Sequence, residues 1–279
     1  MSIDRIGGPA RVHGIWRRDP SIGLGVTRAW QALILMAVLS SYPTHASQSD
    51  GGAAASSASA AARPAGPLRL EGAHRRLAAA AAAFGREASL VDLLRAVLPV
   101  AAEGEAAGPA DDHRASLVIA AFYINDWPIT WIAPDARGWP IVPPRRVTLN
   151  GRRDQARHFV TSAAMAAAAG SAFSDVVGLY KELQDSRGGS GFSFTDMAAN
   201  RAGQRFGTLA TASPGSARQL AARLRGPFTD ADLVPDMAGL PDALTEAEFR
   251  RRYDTTASPA FKRVVDDIDR RIRALPLYR

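Results

Sequence analysis

Two segments of this chain decide its fold. Residues 152–169 read RRDQARHFVTSAAMAAAA, and residues 193–211 read SFTDMAANRAGQRFGTLAT. Both predict helices, and the alanines at 163–169 are small enough to let the backbone of another helix approach closely. Between these alanines, polar and ionisable residues are unusually dense. The sequence therefore predicts a mainly α fold whose polar centre lies in residues 152–210.

The ends of these two helices carry their own signals. Asp154 lies near the start of the first helix, where an acidic side chain complements the helix dipole. Gly170 is expected to end that helix. Ser193 is a predicted N-cap, and Asp196 stands three residues later, as in a capping box with Asp in place of Glu. The second helix is expected to run to about Thr211.

The rest of the domain also reads as helices. Ser89 is a predicted N-cap, and the amphipathic pattern of the last segment predicts a helix that begins at Pro259. The prolines near residue 140 favour irregular chain, with at most a short β element near 129–149. The expected elements are helices at 70–84 and 89–102, a loop at 103–112, a helix in the first half of 117–131 with an extended piece after it, a brief strand at 147–149, a helix at 174–185, a tight Gly-Ser turn at 188–191, and three short helical pieces after Pro214.

The N-terminus resembles a secretory signal peptide. Residues 29–41 form a short apolar run that Arg28 precedes, and Thr44-His45-Ala46 follows as a small-x-small cleavage site. We expect a signal peptide at 1–46, whose first 25 or so residues belong to a mis-annotated start. The apolar run is short for a bilayer span; an uncleaved anchor is the alternative interpretation.

The composition after this segment indicates the domain boundaries. Residues 47–67 are mostly Ser, Ala, Gly and Pro, which is typical of a disordered linker, so the compact helical domain is expected at 68–279. The chain has no Cys, which excludes disulfides and thiolate sites. A chain without disulfides is compatible with the cytosol or the envelope, so the location rests on the predicted signal peptide, which implies a periplasmic or secreted protein.

The charge pattern bears on possible partners. The net charge of +7 falls to about +4 without residues 1–46, because these hold five Arg and two Asp. Basic residues form no stripe interleaved with aromatics, so nucleic acid is not an expected partner. The sequence leaves contact with a membrane surface open.

The polar centre contains residue types that serve chemistry. His158, Glu182 and Asp196 are the candidate catalytic residues. His158 and Asp154 are four residues apart and share a helix face, as do His158 and Ser162. The residues expected to bind or support are Asp154, Asp175, Lys181, Asp185, Arg187, Ser190 and Asn200.

Several chemistries fit this set of residues. His158 beside a carboxylate could act as a general base, and with Glu182 and Asp196 it has the ligand types for a divalent metal. Two carboxylates could also cleave a glycosidic bond. Structural interpretations stand beside these: His158 as a buried hydrogen-bonding residue, Asp196 as a cap only, Lys181 and Asp185 as a solvated ion pair, and the whole network as a device that fixes helix register.

The stretch 154–207 resembles a known group of proteins. Its run Lys181-Glu182-Leu183-x-Asp185-Ser186-Arg187, followed by Gly189-Ser190-Gly191-x-Ser193-x-x-Asp196, is similar to the YfiM-like bacterial envelope proteins. More distantly it resembles VanZ-like helical proteins. The chain lacks the lipobox Cys of the first group and the several membrane spans of the second, and Asn200 stands where the first group tends to have Asp. The resemblance implies an envelope protein and supplies no reaction.

Two functions follow as expectations. The first is an accessory or binding role in the envelope without a cofactor, in which the His/Glu/Asp centre organises the fold or binds an unknown envelope partner or a lipid headgroup. The alternative is a hydrolase that acts on an envelope ester or glycan through His158, Glu182 and Asp196, with or without a divalent metal.

Overall fold

The fold is mainly α, as the sequence predicts. The computed structural model describes residues 67–100, 108–169 and 191–279. The predicted helix at 174–185, and all but Gly191 of the predicted turn at 188–191, lie outside them. The described elements are α1 (Pro67–Ala83), β1 (Glu87–Ser89), α2 (Leu90–Val97), α3 (Pro109–Ile124), β2 (Arg146–Thr148), α4 (Arg153–Ala169), α5 (Phe194–Thr211), α6 (Pro214–Leu224), α7 (Glu246–Tyr253) and α8 (Pro259–Ala274).

The predicted helix caps are confirmed. Ser89 Oγ accepts from the Asp92 amide at 3.1 Å, and Ser193 Oγ accepts from the Asp196 amide at 2.9 Å. The helix predicted at 89–102 ends earlier, at Val97. Leu98 adopts an extended conformation because Pro99 follows it, and the residue before a proline avoids the helical region.

The central helix α3 corrects one prediction. The sequence predicts a loop at 103–112, but α3 already begins at Pro109. Proline fits the first helical position, and Asp111 and Asp112 complement the dipole of the first turn. The helix is buried on nearly every side. It packs against α1, α4, α5 and α6 and forms the middle of the core.

The β structure is small. The strand predicted at 147–149 is present as β2, and it pairs in parallel with β1, a partner that the sequence does not reveal. The extended piece predicted after α3 is wrong. The chain there makes two 3-10 turns, Ile129–Trp131 and Pro134–Gly138. Within the described residues, no helix combines the length and apolar character needed to cross a membrane.

The start of α5 is held by the C-terminal part of the chain. The amide of Phe192 donates to the Leu244 carbonyl at 2.7 Å, and the reverse bond is 2.8 Å long. Gly191 has φ +89, and a Cβ there would lie 2.6 Å from the backbone of Ala243, so only glycine fits. The rings of Phe192 and Phe194 pack against a cluster formed by Phe249, Tyr253 and Phe261.

Helices α4 and α5 touch backbone to backbone. A Cβ added at Gly203 would lie 2.0 Å from the Phe159 carbonyl oxygen, and one at Gly207 would lie 2.1 Å from that of Ala163. Both contacts advance in the same direction along the two helices, so α4 and α5 run parallel. The close approach expected at the alanines of 163–169 is confirmed, and it brings the polar side chains of the two helices together.

Candidate functional site

The candidate site lies between α4 and α5. His158 and Ser162 are one turn apart on α4, and Asp196 and Asn200 are one turn apart on α5, so each pair shares a face. The N-cap at Ser193 fixes where α5 begins and places Asp196 in its first turn. The close packing at Gly203 and further along the helices brings these two faces within hydrogen-bonding distance.

The His158 ring is held from both sides. Its Nε2 atom lies 3.2 Å from Asp196 Oδ2, and its Nδ1 atom lies 3.2 Å from Asn200 Oδ1. Ser162 Oγ donates to the same Asn200 oxygen at 2.9 Å, which orients the amide. Nδ1 faces an oxygen that accepts, so the ring donates from Nδ1, and one proton lies between Nε2 and the Asp196 carboxyl group.

This centre is largely closed to water. The side chains of His158 and Asp196 are only 11% and 12% exposed. Asn200 and Ser162 are buried as well. The Asn200 Nδ2 atom is buried and has no hydrogen-bond partner among the described residues. Hydrogen bonds are stronger in such a low-dielectric setting, and leaving one unmade is correspondingly unfavourable.

An ion-pair cluster covers one edge of the centre. The Arg152 guanidinium pairs with Asp154, lies 3.3 Å from Asp242 Oδ2 and reaches to 3.9 Å from Asp196 Oδ1. Thr195 Oγ1 donates to Asp242 at 3.1 Å. The hydrogen bond that Arg152 donates to Asp154 raises the pKa of Arg152. The charges of Asp154 and Asp242 raise it further, and together these effects outweigh burial, which lowers it. Arg152 is thus a fixed cation that links the starts of α4 and α5.

Asp154 therefore pairs with Arg152 and not with His158. The sequence places Asp154 on the face of His158, but its carboxylate pairs with Arg152. Burial alone would raise the pKa of Asp154, yet the hydrogen bond and charge of Arg152 outweigh burial, and the pKa lies below its ordinary value. Sequence reasoning missed Arg152 and Asp242. Arg152 could have been suspected from its place beside Asp154 at a helix start, whereas nothing in the sequence points to Asp242.

The remaining predicted site residues lie outside the described residues. They are Asp175, Lys181, Glu182, Asp185, Arg187 and Ser190. Their roles stay predictions. Within the described ranges, no group of three or more His, Asp or Glu side chains is arranged to hold a metal ion. The metal hypothesis needs Glu182 as a third ligand.

The geometry limits what the described centre can do. A general base needs a ring nitrogen directed at the proton that it removes. Each nitrogen of His158 already faces a protein oxygen. The arrangement is suited to holding two helices in one register and to keeping a proton between His158 and Asp196.

A scan against models of protein families, a search of curated proteins and a search of solved structures each found no match.

Proposed function

We propose that this chain is a secreted or periplasmic envelope protein with an accessory or binding role, and that its His158 centre fixes the packing of α4 and α5 without performing hydrolysis. One observation supports the structural role of the His158 centre. Both nitrogens of a ring that is only 11% exposed are engaged by Asp196 and Asn200. A residue in that position stabilises a structure, because substrate would have to displace an existing partner.

The envelope location is supported by the sequence of residues 28–46. A basic residue, a short apolar run and a small-x-small site stand there in the order of a signal peptide. The test is to express the full chain in a bacterial host, separate the periplasm from the cytoplasm and sequence the N-terminus. We expect a periplasmic protein that begins at Ser47. A cytoplasmic chain that keeps its N-terminus would contradict this location.

The role of the centre is tested with His158→Ala. The substitution leaves the buried Asp196 and Asn200 oxygens without a ring nitrogen, and it opens a cavity. We expect the free energy of unfolding to fall by about 2–4 kcal/mol. Urea denaturation followed by circular dichroism measures this loss. Metal content after purification without chelator should be the same for wild type and variant.

His113→Ala provides a matched control. His113 is fully buried, and its ring nitrogens lie 3.2 Å from the Ala210 carbonyl and 3.0 Å from the Pro99 carbonyl, far along the chain from the candidate site. The two variants should lose stability alike and differ in nothing else. The proposal is wrong if the folded His158 variant alone loses bound metal, or alone loses hydrolysis of an ester or a glycan substrate.

Two observations favour the hydrolase alternative. The contact between His158 Nε2 and Asp196 is the kind by which a carboxylate orients a general base. The buried Asn200 amide could also donate to a ligand oxygen. The alternative requires Nδ1 to leave Asn200 when substrate enters, and the same assays with His158→Ala decide it.

A further inference from the structure

One surface segment, residues 127–146, is more apolar than an ordinary loop. Two of the five tryptophans of the chain lie at positions 16 and 30; the other three are Trp127, Trp131 and Trp139. Ile141 is 91% exposed, and Trp131 is 41% exposed. Single exposed apolar residues are common on protein surfaces. Two large ones together with two partly buried tryptophans in one segment of 3-10 turns and prolines call for a partner.

The segment is rigid where it protrudes. The Pro140 carbonyl lies 2.9 Å from His74 Nε2, and the Pro143 carbonyl accepts from Tyr123 Oη at 2.8 Å. Arg145 Nε then donates to the Ala81 carbonyl at 2.8 Å. Ile141 stands between the first two anchors. Hydrogen bonds on both sides therefore hold the backbone that presents Ile141.

The ring of Trp139 also holds the segment against the core. It lies 5.2 Å from the His74 ring on α1, measured between ring centroids. Trp127 contacts Phe122 at the end of α3 in an edge-on arrangement at 5.6 Å. These two tryptophans hold the loop to the core, while Trp131 and Ile141 face outward. The outward residues are thus presented on a preorganised base, which lowers the entropy lost on binding.

The charges of the segment suit an anionic surface. It carries Arg137, Arg145 and Arg146 against the single acid Asp135, a net charge of +2. Arg137 is exposed, and Arg146 makes only a long, exposed pair with Glu87 at 3.5 Å. Such surface pairs contribute little and exchange readily for other anions. Lipid phosphates beside an apolar layer match this combination of charge and apolar side chains.

Proteins place tryptophan, exposed aliphatic side chains and arginine at a membrane interface. Tryptophan prefers the level of the headgroups, and arginine reaches the phosphates while its stem stays apolar. A peptide partner would instead need a groove that encloses its anchor residues. Ile141 protrudes, so it can insert into the apolar layer of a bilayer more easily than it can form a groove for a side chain of a peptide.

We propose that residues 127–146 dock on the surface of a bilayer that contains anionic lipid, with Ile141 and Trp131 in the interfacial layer and Arg137 and Arg146 at the phosphates. The proposal deepens the envelope role proposed above and rests on it for the choice of membrane. The helices themselves stay outside the bilayer, and the loop acts as the contact point.

The experiment uses the absence of Cys from the chain. A single thiol is introduced in the full chain by Ile141→Cys and labelled with an environment-sensitive fluorophore. The matched control is Val100→Cys, because Val100 is 45% exposed. The chain next to the two sites contacts opposite ends of α3: the carbonyl of Pro99 contacts His113 in its second turn, and the carbonyl of Pro143 accepts from Tyr123 in its last turn.

With vesicles of phosphatidylcholine and phosphatidylglycerol, the label at 141 should brighten several-fold and shift to the blue, while the label at 100 stays unchanged. Ile141→Asp in the unlabelled chain should weaken vesicle partitioning at least about 10-fold, since it places a charge where the proposal inserts an aliphatic side chain into the interfacial layer. Arg137→Gln combined with Arg146→Gln should reduce the preference for anionic vesicles and its dependence on salt.

Four results would overturn the proposal. They are a label at 141 that stays in water at every lipid concentration, equal responses at both sites, a response equal on vesicles of phosphatidylcholine alone, and a response that rises with protein concentration without lipid, which would indicate a protein interface. These outcomes are independent of the assays on His158. Failure here leaves the role of the centre intact, and hydrolytic activity there leaves the lipid test unchanged.

Discussion

The contact between α4 and α5 makes Gly203→Ala the most informative substitution. The added Cβ would lie 2.0 Å from the Phe159 carbonyl oxygen, and real Cβ atoms are hardly ever found closer than 3.0 Å to a neighbour. The helices must therefore separate by at least about 1.0 Å at this point, the difference between these two distances. Neither helix can yield by moving a side chain, since the clash is with backbone.

The separation acts on the polar centre as well. The distance from His158 Nε2 to Asp196 Oδ2 is 3.2 Å. A shift of about 1 Å would take it beyond hydrogen-bonding length. Overpacking costs about 1–3 kcal/mol, and a buried polar group left unpaired costs about 1–3 kcal/mol more. We expect Gly203→Ala to lower the free energy of unfolding by about 2–6 kcal/mol.

Gly72→Ala is the control for this measurement. Gly72 lies inside α1, and a Cβ there would meet only the end of the Arg76 side chain, at 3.7 Å. Alanine should stabilise this helix by about 0.5–1 kcal/mol. Urea denaturation and thermal melting measure both variants. If Gly203→Ala unfolds within about 0.5 kcal/mol of wild type while Gly72→Ala behaves as expected, then the two backbones are not in contact and the packing argument fails.

Two further predictions concern the N-cap of α5 and a buried histidine. Ser193→Ala removes the acceptor of the Asp196 amide and should lower the free energy of unfolding by about 0.5–2 kcal/mol. Ser193→Asp keeps an acceptor at this position and should lose much less stability. Equal losses in the two variants, measured by urea denaturation, would contradict capping. Burial lowers the pKa of His113 below its ordinary 6.5, against the opposing effect of its two carbonyl contacts. The folded chain therefore binds this proton less readily than the unfolded chain, so the stability is complete above about pH 6.5 and falls as the pH drops below it. His113→Gln should flatten that fall in unfolding curves taken between about pH 7 and pH 5; an unchanged slope would show that another group controls it.

The sequence predicted what depends on local signals. The small-residue pattern of 152–169 and the Ser-x-x-Asp spacing at 193–196 identified α4 and α5 nearly to the residue, because helix propensity and N-caps act over a few positions. His158, Asp196 and Asn200 were selected for their residue types and spacing. The structure brings all three together.

What the sequence did not reveal depends on distant parts of the chain. The pairing of β1 with β2 joins three-residue strands almost sixty positions apart, and strands so short carry almost no periodicity. Asp242 reaches Arg152 from a loop ninety residues away. The loop predicted over the start of α3 was wrong because Asp111 and Asp112 after a proline read as a turn when the burial of the following residues is unknown. In each case tertiary packing decides between local alternatives.

The polar centre also helps to fix the register of α5 along α4. An interface of Gly and Ala offers little side-chain interlocking, and its small residues recur every four positions, so α5 could slide by one turn along α4. Sliding one way would bring Ala199 to the place of Gly203 against Phe159, where its Cβ has no room. Sliding the other way would bring Thr211 against Ala163 and separate His158 from Asp196. The native register alone satisfies both sterics and hydrogen bonds, which is a reason for burying ionisable groups that needs no substrate.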